Sequence, residues 1–288
     1  MIIVKLIGGL GNQMFQHAFA KKLSLIKRVP VKLDVFWYED AKNFTKNSLR
    51  KYILDNYNTS LRIATREEVV SFLSKRSFVF KVIKKIKRDV LRLDDFSFKE
   101  KHFNVSDNAY LEGWWQSEKY FFDIRDILLK EFSLKNGFSG VVKKIETQEI
   151  GCNSVSLHIR RGDYVSLKQV NDAFGVLGLE HYDKAIKIIK EKMKEPRFFI
   201  FSDDIAWAKE NLKIGENAVF VSSPEIKDYE ELILMSKCKH NIIANSSFSW
   251  WGAWLNQNKN KIVIAPKQWF KTDKFNTKDV VPESWIKI

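Results

Sequence analysis

Ser154-Val155-Ser156-Leu157-His158-Ile159-Arg160-Arg161-Gly162-Asp163 begins as an apolar, strand-forming run and breaks into two arginines, a glycine and an acid. The same construction recurs downstream. Residues 197–201 read as a strand that opens into Ser202-Asp203-Asp204, and residues 241–244 as one that opens into Asn245-Ser246-Ser247. Helical patterns fill the gaps at 180–194, 205–212, 228–237 and 248–256; in the first of these Tyr182, Ile186 and Ile189 share a face. Further short strands are expected at 218–221 and 261–265. Short strands alternating with helices predict an α/β fold with a mostly parallel sheet covered by helices. Such sheets bind ligands beyond the carboxyl ends of their strands. The loops after Ile159, Phe201 and Ala244 are therefore where chemistry is expected.

The start of the chain has the same grammar. Residues 2–7 are apolar and β-branched, Gly8-Gly9-Leu10-Gly11 makes a turn, and Phe15, Phe19, Leu23 and Ile26 recur at helical spacing over 12–26. Residues 31–34 read as a second strand. Gly9 and Gly11 match the first two glycines of a dinucleotide fingerprint, with Asp34 about twenty residues on. The third glycine position holds Met14, whose bulk opposes the close helix–strand packing that glycine allows. What remains is a flexible loop at a helix N-terminus, suited to close approach of a polar ligand. Residues 109–116 read as a strand, with a helix expected from about 117. A polar stretch follows, so the domain boundary falls within 130–153, giving domains 1–150 and 151–288.

The chain has 288 residues, 45% hydrophobic and 29% charged, which excludes a disordered or collagen-like chain. Its two cysteines, Cys152 and Cys238, form no disulfide framework and no zinc spacing, so a reducing compartment is expected. The N-terminus lacks the pattern of a signal peptide, and no apolar run is long enough to span a membrane. These readings predict a cytoplasmic protein. Forty-nine Lys and Arg against 35 Asp and Glu leave a net charge of +14, which favours a polyanionic partner. Residues 75–92 carry eight basic side chains against Asp89 alone, around an apolar stripe of Val79, Val82, Ile83, Ile86 and Val90. A helix there suits either an anionic membrane surface, with peripheral contact at the inner face, or a solvated face of its own domain. No nucleic-acid recognition motif is visible and the aromatics fall in core-like periodic segments, so a nucleic-acid partner is not expected.

Each loop admits more than one use. Arg160 and Arg161 at a strand end match phosphate oxygens in charge and geometry, while Arg160 can also pair with Asp163. His158 lies two residues before Arg160, on the same face of an extended strand. Asp203 and Asp204 can hold a divalent metal, hydrogen-bond a guanine edge or a ribose, or cap the next helix. Ser246 and Ser247 at a helix start can offer donors to an anion. Trp250, Trp251 and Trp254 suit a core better than a ligand stack.

Five segments together carry a family resemblance: residues 8–16, Gly113-Trp114-Trp115-Gln116-Ser117-Glu118-Lys119-Tyr120-Phe121, residues 158–164, residues 201–204 and residues 245–251. In this order they resemble the motifs of glycosyltransferase family 11, the bacterial-type alpha-1,2-fucosyltransferases. The resemblance implies a GT-B fold, two Rossmann-like domains facing a cleft. It implies GDP-fucose as donor, bound by the C-terminal domain, and the 2-hydroxyl of a terminal galactose as acceptor, bound on the N-terminal side. Transfer is expected with inversion and without a required metal or other cofactor. Carried onto this sequence, Arg160 is the main phosphate ligand and Arg161 supports it. His158, Asp203 and Asp204 become nucleotide-binding candidates, Ser246 and Ser247 meet the phosphates, and Ser202 and Asn245 join the donor-binding set. Gly9 and Gly11 complete the donor side, and Asn12 faces the reacting sugar. Gln13, Trp115 and Gln116 are acceptor-side candidates, and Asp163 is the candidate general base. His17 departs from the Tyr that bacterial relatives often carry there. Another nucleotide-sugar transferase of the same fold, with a different donor or acceptor hydroxyl, is the competing expectation.

Overall fold

A computed structural model describes residues 1–40, 50–73, 89–93 and 96–288. By contacts they form two units. One holds residues 1–55, 59–132 and 278–280, the other 56–58, 133–277 and 281–288.

The first unit is built on a five-stranded sheet in the order β3-β2-β1-β5-β4. Its strands are β1 (Ile2–Lys5), β2 (Val31–Asp34), β3 (Arg62–Ile63), β4 (Asp89–Leu93) and β5 (Ala109–Gly113), and every pairing is parallel. Ile2, Ile3 and Val4 have no exposed surface, as a central strand covered on both faces requires. Helix α1 (Leu10–Ile26) follows β1, α2 (Arg66–Leu73) follows β3, and α3 (Arg125–Glu131) comes last. The helix expected from about 117 is two short 3-10 turns leading into α3.

The basic segment 75–92 is corrected in part. Residues 89–92 belong to β4, paired in register with Ala109 to Glu112, and are not helical. The backbone groups of this piece are satisfied by β5, a non-local partner that an apolar stripe read along the sequence cannot reveal. Residues 74–88 lie outside the described residues. Among the described residues no helix is long and apolar enough to cross a membrane.

The second unit carries a six-stranded, wholly parallel sheet in the order β11-β10-β9-β6-β7-β8. The strands are β6 (Ser154–Ile159), β7 (Arg197–Ser202), β8 (Ala218–Phe220), β9 (His240–Ile242), β10 (Val263–Ala265) and β11 (Ile286–Lys287). Its helices are α4 (Gly140–Lys144), α5 (Gly162–Ser166), α6 (Lys168–Phe174), α7 (Leu179–Lys192), α8 (Ile205–Asn211), α9 (Asp228–Lys237) and α10 (Ser247–Leu255). Strand β7 shows why helices cover both faces. Phe198 and Ile200 join Tyr182, Ile186 and Ile189 of α7 in one core, while Phe199 and Phe201 join Leu234 and Met235 of α9 in the other.

Two parallel α/β units are what the expected GT-B class asks of its halves. The division falls after residue 132, inside the expected window 130–153 and before 150. Val142 is fully buried with Phe199 and Phe201, flanked by Phe138 and Ile145, and the Ser139 amide donates to Glu230. Residues 133–150 thus pack with the second unit. Residues 278–280 return to the first, where Asp279 accepts from Phe98 N–H at 2.9 Å and from Lys119 Nζ at 2.7 Å.

His17 is fully buried on α1, and its Nε2 lies 2.6 Å from Glu131 Oε2. Lys21 Nζ sits 2.7 Å from the other carboxylate oxygen, which Ser60 also meets. Burial alone would raise the Glu131 pKa, but hydrogen bonds and charge from His17, with Lys21 and Ser60, hold it at about 2 against its ordinary 4.5. A depressed carboxylate contributes stability above its unfolded pKa and loses it as pH falls through the folded one. The wild-type protein is therefore expected to lose up to about 3 kcal/mol from this group between roughly pH 4.5 and 2. Urea titrations across that window, on wild type and Glu131→Gln, check this. Equal slopes with pH in the two proteins would refute it.

Candidate functional site

Strands β9, β6 and β7 lie side by side and run the same way, so their three following loops leave one edge of the second unit's sheet. This adjacency brings together residues far apart in sequence. The Arg160 guanidinium sits at that edge between two carboxylates. Its Nη2 donates to Asp163 Oδ1 at 2.6 Å and its Nη1 lies 3.0 Å from Asp203 Oδ2. Burial opposes the arginine's charge, but Asp203 and then Asp163 outweigh it and raise the pKa. Asp203 also accepts the Arg161 main-chain N–H at 2.8 Å, so one carboxylate fixes both a side chain and the loop that carries it. Gly162 makes that approach possible. A Cβ at this position would stand 2.4 Å from Asp203 Oδ2.

Arg161 is held separately. Its Nε donates to Asp204 Oδ2 at 3.1 Å, and its guanidinium lies 3.9 Å from the Trp207 ring centroid. Asp204 caps α8 as well, its Oδ1 accepting the Trp207 N–H at 3.2 Å. Both acids of the pair are thus engaged by arginines and a helix start. Among the described residues no group of three or more His, Cys, Asp or Glu is placed to hold a metal ion. Asp163 stands as the orienting partner of Arg160, since its Oδ1 is taken by the guanidinium.

Ser202 closes the β7 loop. Its Oγ accepts the Asp204 N–H at 3.0 Å, and its own N–H donates to Ser222 Oγ at 2.9 Å. Beneath it Glu231 of α9 accepts from Ser222; burial, then the charges of Asp228 and Asp203, push its pKa up to about 7. His158 is 3% exposed and enclosed against Phe248, ring centroids 5.5 Å apart. Burial and then Arg160 pull its pKa down to about 3, so the imidazole is neutral at physiological pH. Its Nδ1 has no hydrogen-bond partner among the described residues.

Ser246 caps α10, its Oγ accepting the Phe248 N–H at 3.3 Å, and Ser247 opens that helix. Trp250, Trp251 and Trp254 are buried and packed on one another, so the core reading of these tryptophans holds. Asn245 precedes them, 2% exposed. A cavity of about 380 Å³ opens beside it.

The glycine loop belongs to the first unit. Gly8 has φ +83° and lies so near Asn12 that a Cβ would meet its Nδ2 at 2.6 Å. Gly9 precedes the first turn of α1, where a Cβ would stand 3.8 Å from Arg50 Nη1, and Gly11 is buried within that turn. Asn12 Oδ1 accepts from Gln116 Nε2 at 2.9 Å, which joins two of the sequence-derived candidates. The other two acceptor-side candidates lie buried. Gln13 is fully buried, donating to Lys51 O at 2.7 Å and accepting the Ile53 N–H at 3.0 Å. Trp115 is 1% exposed and stacks on Phe19 with centroids 4.2 Å apart. Asp34, the acid of the dinucleotide fingerprint, is buried and accepts from Tyr110 Oη and the Phe36 N–H, while Met14 is fully buried in α1. Neither serves a dinucleotide.

Sequence reading missed Trp207, Tyr164, Ser222 and Glu231 around the arginines, and Tyr38, whose hydroxyl donates to Gly8 O at 3.0 Å. Trp207 carried a usable signal, an aromatic one turn after an Asp-Asp pair beside an arginine loop. Tyr164 stood within the 158–164 motif, four residues after Arg160, whereas Ser222 and Glu231 meet the site only through the packing of distant segments.

The sequence profile of glycosyl transferase family 11 matches residues 1–288. The chain is 35% identical to an alpha-1,2-colitosyltransferase of Escherichia coli over 304 residues, covering 100% of this chain and 99% of the relative. It is 32% identical to the O-antigen biosynthesis glycosyltransferase WbnK of Escherichia coli, covering 98% and 99%. A galactoside alpha-(1,2)-fucosyltransferase 1 of Saimiri boliviensis boliviensis is 23% identical, over 57% of this chain and 48% of that protein.

Proposed function

The chain belongs to glycosyl transferase family 11, and from that premise we propose that it transfers L-fucose from GDP-fucose to the 2-hydroxyl of a terminal galactose. The observation that carries this reading is the Arg160 guanidinium clamped between Asp163 and Asp203 at the edge of a parallel sheet. Two carboxylate contacts use two of a guanidinium's five N–H donors, so the fork has capacity for phosphate oxygens while its orientation is already set.

In the proposed reaction the acceptor oxygen attacks the anomeric carbon of fucose. The bond from that carbon to the β-phosphate oxygen breaks in the same displacement, GDP departs with the bonding electron pair, and the hydroxyl proton passes to solvent. A single in-line displacement inverts the anomeric centre. Charge grows on the departing phosphate, and preorganised cationic donors stabilise it most where water is excluded. Arg160 and Arg161 supply that charge, so no metal is required in this reading. His158, neutral and buried, offers a hydrogen bond and no charge to the nucleotide.

A second reading changes only the donor. The 35% identical relative is named a colitosyltransferase, and colitose is fucose without its 3-hydroxyl. Incubation of the purified chain with a galactoside and either GDP-fucose or GDP-colitose separates the two, with the product mass naming the sugar and linkage analysis naming the oxygen. Transfer of fucose to O2 that persists in EDTA is the expected outcome. A colitosylated product alone moves the donor to the second reading. No transfer from either guanine nucleotide sugar, or transfer that stops with EDTA, sinks the mechanism.

A further inference from the structure

The last paired residues of β6 and β9 are Leu157 and Ile242. Arg160 and Ser246 lie beyond that pair, on loops that need some other bond to fix one against the other. Tyr164 supplies it. Its Oη donates to Asn245 O at 2.9 Å, a contact between residues 81 apart in sequence.

Both ends of this bond are held. Asn245 Nδ2 donates to Phe174 O at 2.8 Å, and to Gly175 O and Trp269 O at 3.3 Å each. Tyr164 belongs to α5 and is buried, its ring stacked on Phe174 with centroids 5.0 Å apart. Its carbonyl accepts from Asn171 Nδ2 at 2.7 Å. The same ring meets the cation of the site, with Arg160 Cζ 5.5 Å from its centroid, within the reach of a cation–π contact. One side chain therefore touches Arg160 with its ring and the β9 loop with its hydroxyl.

We propose that Tyr164 is a positioning residue for sugar transfer, its hydroxyl tying the arginine loop to the β9 loop and so setting the place of the Arg160 guanidinium relative to Ser246 and Ser247. The proposal rests on the reading of Arg160 as the cation that meets the departing phosphate. Asp203 already ties that guanidinium to the loop after β7. With Tyr164 bonded to Asn245, the loops after β7, β6 and β9 are held as one edge. Such placement matters because a shift of about 1 Å can cost on the order of 100-fold in rate. A bond between neutral groups adds only modestly to stability, so its removal is read in the rate and not in the folding.

Tyr164→Phe keeps the ring, with its stack on Phe174 and its contact with Arg160, and removes only the hydroxyl. It is expected to lower kcat about tenfold while the thermal midpoint stays near wild type. The same substitution made in Arg160→Ala is expected to change the remaining kcat by less than about twofold, since a residue that acts through the arginine then has nothing left to position. Steady-state kinetics on wild type, the two single variants and the double variant read both effects, using a galactoside and the guanine nucleotide sugar that wild type transfers. Wild-type kcat in Tyr164→Phe overturns the proposal and leaves the transferase reading standing. An equal fractional loss in both backgrounds also overturns it, as the mark of a merely structural role. A Tyr164→Phe chain that does not fold does the same, by assigning the hydroxyl to stability. Wild type that transfers no sugar from a guanine nucleotide removes the transferase reading, and the positioning role falls with it.

Discussion

Arg160→Ala is expected to lower kcat/KM for sugar transfer by about 10²–10³-fold, on the order of 3–4 kcal/mol of transition-state stabilisation. The side chain is a cation at the β6 edge held by two carboxylates, at 2.6 Å and 3.0 Å. That double hold removes its rotamer freedom before any ligand arrives, so little ordering remains to be done in the reaction. Removing it also leaves Asp163 and Asp203 without the guanidinium that lies between them. The loss is expected mainly in kcat, because charge on the β-phosphate is largest as the bond breaks. Arg160→Lys is the informative companion. It keeps the charge but cannot reach both acids with one planar fork, so it is expected to recover only part of the rate. Steady-state kinetics on variants whose thermal midpoints are first shown to be near wild type decide the matter. Near-normal turnover in a folded Arg160→Ala protein would remove the arginine from this role.

Trp115→Ala is expected to cost about 3–5 kcal/mol of stability, the usual range for deleting a buried aromatic side chain. Its ring lies nearly parallel to Phe19, 7° between planes, and Phe19 in turn contacts Phe103 and Tyr120. Removing it strips Phe19, the hub of that cluster, of its closest stacking partner. The backbone gives nothing back, since residue 115 has φ +45° and alanine keeps the same strain. Denaturant unfolding measures the effect. The fraction that folds is expected to show an ordinary KM for acceptor. Wild-type stability together with a raised acceptor KM would instead return Trp115 to the acceptor side.

Trp115 also shows where sequence reading stopped. The motif around it is specific, but a motif does not say which of its side chains face a ligand. Gln116 reaches Asn12 while its neighbour packs inward, and only the turn of the backbone after β5 separates the two. Strands β1, β6 and β7 were legible because each is a dense apolar run bounded by glycine, arginine or aspartate. Their order in the sheet then made the Arg160–Asp203 contact, which spans more than forty residues of sequence. Strands β3 and β11, two residues each, lack enough pattern to register. Val142 reads the same whichever unit it packs on, so the boundary at 150 was set by composition where contacts decide it. Residues 89–92 continue a basic, helix-like stripe on paper and pair as a strand in the fold. Arg160 and Asp163 were placed correctly as a pair, since three residues of helix-start spacing suffice for that contact.

The return of residues 278–280 to the first unit has a consequence for biosynthesis. As the chain leaves the ribosome, everything up to residue 132 is made long before Asp279. Until then the Phe98 amide and the Lys119 ammonium await their carboxylate. The first unit is therefore completed only after every strand of the second unit's sheet but β11 has been translated, although domains commonly mature one after another during synthesis. A gene fragment ending at residue 132 would encode a unit lacking its own final clasp.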